Sequence, residues 1–254
     1  MIDLNSGSGL VYGADVPRGT TSERINALID GALVERNRQQ RPRDYLGGSR
    51  IGEPCARKLV YEVSNTPIDD GKGFDGRALR IFDAGHQFET LSIGWLRAAG
   101  FQLRTERNDG QFGFTTANGR IRGHIDGVIT GGPDVGITWP ALFEHKALKA
   151  SSWTDLVKRG VKLSKPIYYA QLQIYMAYME LGCALFTALN KDTQALHHEV
   201  VAFDPAAAQV LSDKAVDIIR AADAGELPPR IASSADFYLC RWCAYGKRCW
   251  GGVA

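Results

Sequence analysis

Hydrophobic and polar positions alternate most regularly between residues 121 and 148, where a Gly/Pro turn separates two strand-like runs. The first run, 121–130, is mostly strand-like, and the second, 142–148, alternates. Strand side chains have a period of two, so the second run has two distinct faces. One face carries Phe143, His145 and Ala147, and the other carries Leu142, Glu144, Lys146 and Leu148. Because the connection holds Gly131, Gly132 and Pro133, the two runs are predicted to form an antiparallel pair.

The remaining periodicity predicts helices and strands in mixed order. Helices are predicted to start at Thr21 or Ser22, near Cys55, at about 78, at Ser151 or Ser152, at Ser164 or Lys165, and at Pro205. Strands are predicted at 101–106, 111–116, 121–130, 142–148, 184–189 and 196–203. This order predicts an α/β protein. The predicted divisions are a flexible N-terminus (1–20), a helical region containing Cys55 (21–77), a core (78–225) and a cysteine-cluster segment (226–254).

Composition is that of an ordinary globular protein, with 44% hydrophobic and 23% charged residues among 254. The net charge of +2 means that any nucleic-acid partner must be bound by local patches rather than by overall basicity. No run of 18 apolar residues occurs, so no membrane association is expected. The N-terminus lacks the basic start and apolar core of a signal peptide, so a cytoplasmic location without disulfides is expected.

Two carboxylates and a lysine fall together in the predicted strand pair. Pairing brings Asp126 close to Glu144, and such neighbours repel unless a cation lies between them. Lys146 projects from the same face as Glu144, an arrangement that suits a hard divalent metal beside an activated water. Asp134 is a competing choice of acid, but it lies in a Gly-rich turn where Asp is favoured for backbone reasons. A solvated ion pair between Glu144 and Lys146 is the alternative explanation.

These residues resemble a known enzyme superfamily. The pattern Asp126…Glu144-x-Lys146 resembles the core motif of the PD-(D/E)XK nucleases, and Gln171-x3-Tyr175 resembles a motif of RecB-type members. The stretch Gly85-His86-Gln87-Phe88-Glu89 resembles the helical histidine motif of that family. The resemblance covers roughly residues 49–250. It implies a restriction-endonuclease-like core, in which helices flank a mixed central sheet.

The resemblance also implies roles for individual residues. His86, Asp126 and Glu144 would hold Mg²⁺ or Mn²⁺ with a backbone carbonyl near His145. Lys146 would orient or help to deprotonate the attacking water. Gln171 and Tyr175 would position the DNA strand near the metal.

Four of the five cysteines form a second pattern. Cys240-x2-Cys243-x5-Cys249 is typical of metal or cluster ligation in a reducing compartment. With Cys55, it resembles the iron–sulfur staple of AddB-type and CRISPR-associated RecB-like exonucleases. That resemblance implies a four-iron–four-sulfur cluster clamping the N- and C-terminal parts into one subdomain. A four-thiolate zinc site is the alternative. Cys183 is left over and is predicted to be a buried thiol.

Local charge indicates DNA as the partner. Cationic and aromatic residues lie close together in the sequence after the run 142–148. Such residues suit a groove that binds single-stranded DNA or the ends of duplex DNA. The predicted DNA-binding residues are Lys149, Trp153, Lys158, Arg159 and Tyr168. A solvated basic face is the alternative.

The sequence thus predicts a metal-dependent DNA exonuclease of phage, plasmid or bacterial repair type, acting with recombination or replication proteins. A non-catalytic DNA-binding or recombination-partner module with a structural zinc or iron–sulfur site is the second hypothesis. A restriction endonuclease is the third, and the cysteine pattern argues against it.

Overall fold

A computed structural model describes residues 19–107 and 110–251, with the side chain of Arg107 left out. Most of the predicted flexible N-terminus therefore lies outside the described residues. Among the described residues the chain divides into two compact units, 19–41 with 74–81 and 42–73 with the remainder. The division predicted from sequence stays a prediction.

Helices and strands alternate irregularly along the chain. The helices are α1 (Thr21–Arg38), α2 (Ala56–Val63), α3 (Gly76–Ala98), α4 (Ala150–Ser164), α5 (Pro166–Met179), α6 (Pro205–Ala224), α7 (Tyr238–Arg241) and α8 (Gly246–Trp250), with a 3₁₀ turn at Gly48–Arg50. The strands are β1 (Leu46–Gly47), β2 (Leu103–Arg104), β3 (Glu106–Arg107), β4 (Gly110–Gln111), β5 (Gly113–Thr116), β6 (Ile121–His124), β7 (Gly127–Ile129), β8 (Ala141–Leu148), β9 (Cys183–Asn190) and β10 (Leu196–Ala202).

The smaller unit contains α1 and the first turn of α3. Thr20 and Glu23 form a capping box at the start of α1, which satisfies amide groups that the helix leaves unpaired. Arg80 and Asp30 form an ion pair within this unit.

In the larger unit, five strands form a mixed sheet in the order β10-β9-β8-β7-β2. Strands β8 and β9 are parallel and are joined by the α4–α5 crossover, whereas the other neighbours are antiparallel. Every residue of β9 is buried, which explains its nearly continuous apolar sequence. The predicted antiparallel pairing of the two runs in 121–148 is confirmed for β7 and β8.

Helices cover both faces of this sheet. Leu142 and Leu148 of β8 pack in the core formed with α2, α4, α5 and α6. Phe143 packs on the opposite face, with Ile93 and Leu96 of α3. The predicted sorting of β8 into two faces is therefore confirmed. The predicted fold class, an α/β protein with a mixed central sheet flanked by helices, is confirmed with it.

The run 121–130 is two strands rather than one. Strand β6 pairs with β5 and β1 in a separate three-stranded sheet, and β7 joins the central sheet. The break falls at Ile125 and Asp126, because the neighbouring strands on the two sides belong to different sheets. Strands β3 and β4 form a two-stranded ribbon.

Among the described residues, no helix has both the length and the apolar character needed to cross a membrane.

Candidate active site

Asp126 lies at the break between β6 and β7, beside the middle of β8. Its Oδ2 accepts a hydrogen bond from the backbone N–H of His145 at 2.8 Å. The pairing of Gly127 with Phe143 in β7–β8 places Asp126 next to Glu144 in register. Sequence reasoning preferred Asp126 over Asp134, and the structure brings Asp126, not Asp134, to Glu144 and Lys146. The catalytic roles of these residues stay predictions.

Glu144 is the most buried of the charged residues in this site, with 1% of the residue exposed. Its Oε1 accepts a hydrogen bond from the Gln171 amide at 2.6 Å and also contacts the ammonium of Lys146. Lys146 also donates to the His145 carbonyl at 3.0 Å. Glu144 Oε2 has no hydrogen-bond partner within the part of the chain that the structure describes. Buried polar atoms rarely lack partners, so this oxygen is available to bind another group.

Burial is the largest influence on the pKa values of Glu144 and Lys146. Burial, followed by the charges of Asp126 and Glu89, raises the pKa of Glu144 to about 8 despite the nearby Lys146. Burial alone would lower the pKa of Lys146, but the Glu144 and Asp126 carboxylates raise it above its usual value. The carboxylates repel one another and the lysine offsets only part of that repulsion. A bound cation would relieve the remainder.

Helix α3 contributes Glu89 to this group. Burial and the charge of Asp126 raise the pKa of Glu89 above its usual value. Glu89 and Asp126 also line one cleft together with Arg97 and Gln111. Glu89 ends the stretch that resembles the helical histidine motif, but the resemblance implies a metal-binding role for His86 alone. The i, i+3 spacing was the available signal.

His86, the residue predicted to bind metal, lies at the surface. Its side chain is 78% exposed, and its Nδ1 is 3.8 Å from Glu89 Oε2. His86 is connected to Asp126 and Glu144 indirectly, by its contact with Glu89. The metal-ligand role of His86 stays a prediction, and Glu89 is the nearer candidate.

Tyr175 is buried beneath the site, on the same helix as Gln171. Burial and the charge of Glu144 raise the pKa of its phenol, and the Ser49 side chain lies against it. Gly48 is required here, because a Cβ at that position would lie 2.5 Å from Tyr175 Cε1. Sequence reasoning missed Gly48 and Ser49, since nothing local in their sequence indicates a tyrosine partner so distant in the chain. Because Tyr175 is only 3% exposed, its predicted contact with DNA stays a prediction.

The donor set fits a hard divalent ion. Asp126, Glu144 and the His145 carbonyl supply oxygen atoms, and Glu144 Oε2 has no partner among the described residues. No group of three or more His, Cys, Asp or Glu side chains arranged to hold a metal occurs among residues 19–107 and 110–251. Mg²⁺ commonly uses one or two carboxylates and keeps several waters, so two carboxylates and a carbonyl satisfy its needs.

The predicted DNA-binding residues lie on and beside α4. Lys149, Lys158 and Arg159 are exposed, and Arg159 pairs with Asp155 at 3.3 Å. Trp153 is half-buried, and its indole N–H donates to the Ala188 carbonyl at 3.2 Å. Its ring therefore packs on the sheet instead of standing free for stacking.

Tyr168, on α5, lies beside Lys146. The Lys146 ammonium is 5.5 Å from the centre of its ring. The role of all five residues in DNA binding stays a prediction.

The four cysteines of the predicted staple line a single cavity of about 350 Å³. Burial raises the pKa of the Cys243 thiol, and the nearby Cys55 and Cys249 raise it further. All four are free thiols. Cys183 is buried elsewhere and donates to the Thr138 carbonyl at 3.2 Å.

The segments that carry these cysteines also contact each other directly. Arg57 donates to the Pro228 carbonyl at 2.6 Å and approaches Cys249 Sγ at 3.9 Å. Asp69 accepts from the Lys247 amide at 2.6 Å. Hydrogen bonds thus join residues near positions 57–69 to the C-terminal segment. Cluster binding and a cysteine-clamped subdomain stay predictions.

Comparison with known proteins supports the fold. No protein-family model matches the sequence, and no curated protein matches it. The structure is similar to the crystal structure of an alkaline exonuclease (LHK-Exo) from Laribacter hongkongensis, with a TM-score of 0.52 and 14% identity over 78% of this chain and 93% of that chain. LHK-Exo in complex with dAMP gives a TM-score of 0.49 and 15% identity over 72% of this chain and 89% of that one. The crystal structure of SSO0001 gives a TM-score of 0.47 and 14% identity over 94% of this chain and 100% of that chain.

At this level of identity, the likeness to LHK-Exo shows a shared fold. The mixed α/β architecture, with a central sheet flanked by helices, is the fold class that the sequence predicted. What the chain does is a separate question that depends on its own residues.

Proposed function

We propose that this protein is a metal-dependent DNA exonuclease. The observation that carries the proposal is the buried Glu144 beside Asp126. One of its oxygens is bonded to Lys146 and Gln171, and the other has no partner in the described part of the chain. A DNA-binding module without activity has no need of two acids and a lysine in this arrangement. The fold shared with an alkaline exonuclease adds support.

The chain's own groups would divide the work at the site. Asp126 and Glu144 would hold Mg²⁺ or Mn²⁺, with the His145 carbonyl and either Glu89 or His86 completing the set. When bound, the ion supplies Lewis acidity toward the scissile phosphate and activates water. Lys146 is held by Glu144 and the His145 carbonyl, so its ammonium is positioned to orient the attacking water.

The helix α5 supports this arrangement from behind. The Gln171 amide fixes the rotamer of Glu144, and Tyr175 packs beneath the same strand.

Lys149, Lys158 and Arg159 would neutralise DNA phosphates, and Tyr168, beside Lys146, would contact a base near the reacting end. The site of action would be the cytoplasm of a bacterial or phage-infected cell, together with recombination or replication proteins.

We propose further that Cys55, Cys240, Cys243 and Cys249 hold a structural four-iron–four-sulfur cluster. The shared cavity of about 350 Å³ supports this, as does the wide spacing of its ligands along the sequence. Zinc is the alternative, and it requires all four sulfurs at about 2.3 Å from one ion.

The nuclease proposal is tested with end-labelled single-stranded and duplex DNA in Mg²⁺ or Mn²⁺. Stepwise release of nucleotides is expected, with loss of activity in EDTA. Asp126→Ala should lose cleavage and retain DNA binding, whereas Asp134→Ala, a change in an exposed turn, should behave like the wild type. Cleavage in excess EDTA, or cleavage that survives in Asp126→Ala and is lost in Asp134→Ala, would contradict the assigned site.

A further inference from the structure

A second cavity, of about 480 Å³, lies on the opposite face of the central sheet from Glu144 and Lys146. Helix α3 and strands β9 and β10 form its walls. Leu185 and Thr187 of β9 line it, and they are in register with Phe143 and His145 of β8. The cavity is therefore separated from the acids by the sheet, and the proposed nuclease chemistry does not use it.

A buried polar atom without a partner among the described residues belongs to a residue that lines this cavity. Ser92 lines the cavity and is 2% exposed, and its Oγ has no hydrogen-bond partner within the described residues. The hydroxyl of Thr187 is bonded to His198 Nδ1 at 3.0 Å. Leaving a buried hydroxyl unpaired costs free energy, so Ser92 indicates a site for another hydrogen-bonding group.

The remaining walls are apolar and include aromatic rings. Trp95, Phe101, Ile137 and Leu185 are among the residues that form them. Among the described residues that line it there is no Asp, Glu, Lys or Arg, so a charged molecule would lose its hydration without gaining a partner from them. A volume in the range of a few hundred Å³, with apolar walls and few polar groups, is typical of small-molecule sites.

We propose that this cavity is a binding site for a neutral heteroaromatic molecule of one or two rings. The aromatic and aliphatic walls would cover its faces, and Ser92 and His198 would bind its polar edge. Neutrality follows from the absence of charged lining residues, and the flat shape follows from the aromatic rings. This site stands apart from the proposed nuclease activity, so its test needs no catalysis.

The test uses 5-fluoroindole as the probe and fluorine NMR on the full chain. Saturable line broadening, reversed by unlabelled indole, is expected with the wild type. Val200→Trp should abolish binding, because Val200 lines the cavity, is 49% exposed on edge strand β10, and can be enlarged without disturbing the core. Ser92→Ala should weaken binding roughly 2- to 10-fold, the effect of one neutral hydrogen bond.

Val210→Trp is the matched control, since Val210 is exposed on α6 and does not line this cavity. It should bind the probe as the wild type does. Failure of the wild type to bind the probe at millimolar concentration would overturn the proposal. So would unchanged binding in both Val200→Trp and Ser92→Ala. Ser92→Ala keeps the cavity open and removes only the hydroxyl group, so it decides the outcome if Val200→Trp is unstable.

Discussion

The side-chain amide of Gln171 donates a 2.6 Å hydrogen bond to Glu144 Oε1, linking the buried helix α5 to the central strand β8. Both residues are buried, so the bond is shielded from water. It leaves Glu144 Oε2 without a partner among the described residues. Gln171 thus determines which oxygen of Glu144 is left to bind another group.

Replacing Gln171 by Leu should therefore reduce nuclease activity while leaving the fold intact. A hydrogen bond to a charged group contributes about 1.5–3 kcal/mol, so kcat/KM should fall by roughly 10- to 100-fold. The Mg²⁺ concentration needed for half-maximal activity should rise, because Glu144 would lose its fixed orientation. Titration of activity with Mg²⁺ measures both effects.

Gln173 provides the matched control on the same helix. Its amide donates to the Ala202 carbonyl at 3.1 Å, and its oxygen accepts from the Asp204 amide at 2.7 Å. Gln173→Leu should lower thermal stability, because both backbone groups would lose a partner, without the specific change in Mg²⁺ dependence. Equal Mg²⁺ dependence in the two variants would show that Gln171 has only a structural role.

A second prediction separates Glu89 from His86. Glu89→Gln should reduce activity and weaken the response to Mg²⁺, because Glu89 lies close enough to Asp126 for its pKa to be raised. His86→Gln should have a smaller effect, since its side chain is 78% exposed. Metal-dependent activity and Mn²⁺ binding, measured by calorimetry, test this order. The opposite order would restore His86 as the ligand that the sequence motif implies.

The sequence predicted β8 well because its alternation is strict and its surroundings are buried on both faces. It predicted α6 equally well, since Asp204 caps the helix, Pro205 occupies its first position and a left-handed Gly225 ends it. The split of 121–130 into two strands could not be predicted. Which strand a segment pairs with depends on residues far away in the chain, and periodicity contains no information about them.

In the site, too, contacts between neighbouring strands could be predicted from the sequence, whereas contacts that depend on helix packing could not. Asp126, Glu144 and Lys146 are brought together by two adjacent strands, so sequence reasoning could find them. Gln171 was recognised by its motif, but its contact with Glu144 depends on how α5 packs on the sheet. Glu89 was overlooked in favour of His86 because sequence spacing does not tell which of two residues on a helix face is more enclosed.

A third prediction concerns the cysteine cavity. Protein purified without oxygen should be brown, with a broad visible absorbance, if Cys55, Cys240, Cys243 and Cys249 hold a cluster. Cys55→Ala should remove the colour and lower thermal stability, because metal-ligand binding energy contributes to folding. Visible absorbance, iron and zinc content, and thermal unfolding measure these effects.

Cys183→Ala is the control for that experiment, because Cys183 is buried away from the other four and should affect neither colour nor metal content. Colourless protein containing one equivalent of zinc would replace the cluster with a zinc site. Full colour and stability in Cys55→Ala would remove Cys55 from the site, leaving only the three C-terminal cysteines.

The last prediction follows from the buried imidazole of His145. Burial, the charge of Lys146 and the neighbouring His198 lower the pKa of His145 from 6.5 to about 4. The unfolded chain therefore binds more protons than the folded chain between these two values. Stability from this residue is fully present above pH 6.5 and is lost as the pH falls toward 4.

Replacing His145 by Gln, which is neutral throughout, should flatten the pH dependence of stability in this window. The wild type should lose on the order of 3 kcal/mol more than the variant between pH 6.5 and 4, since each pKa unit corresponds to about 1.4 kcal/mol. Denaturant unfolding at several pH values in EDTA measures the slope, and the slope is compared because the substitution also alters packing. His86→Gln controls for removal of a histidine at an exposed position. Parallel slopes for the wild type and His145→Gln would contradict this prediction, because they would mean that the folded protein accommodates a protonated imidazole at this buried position.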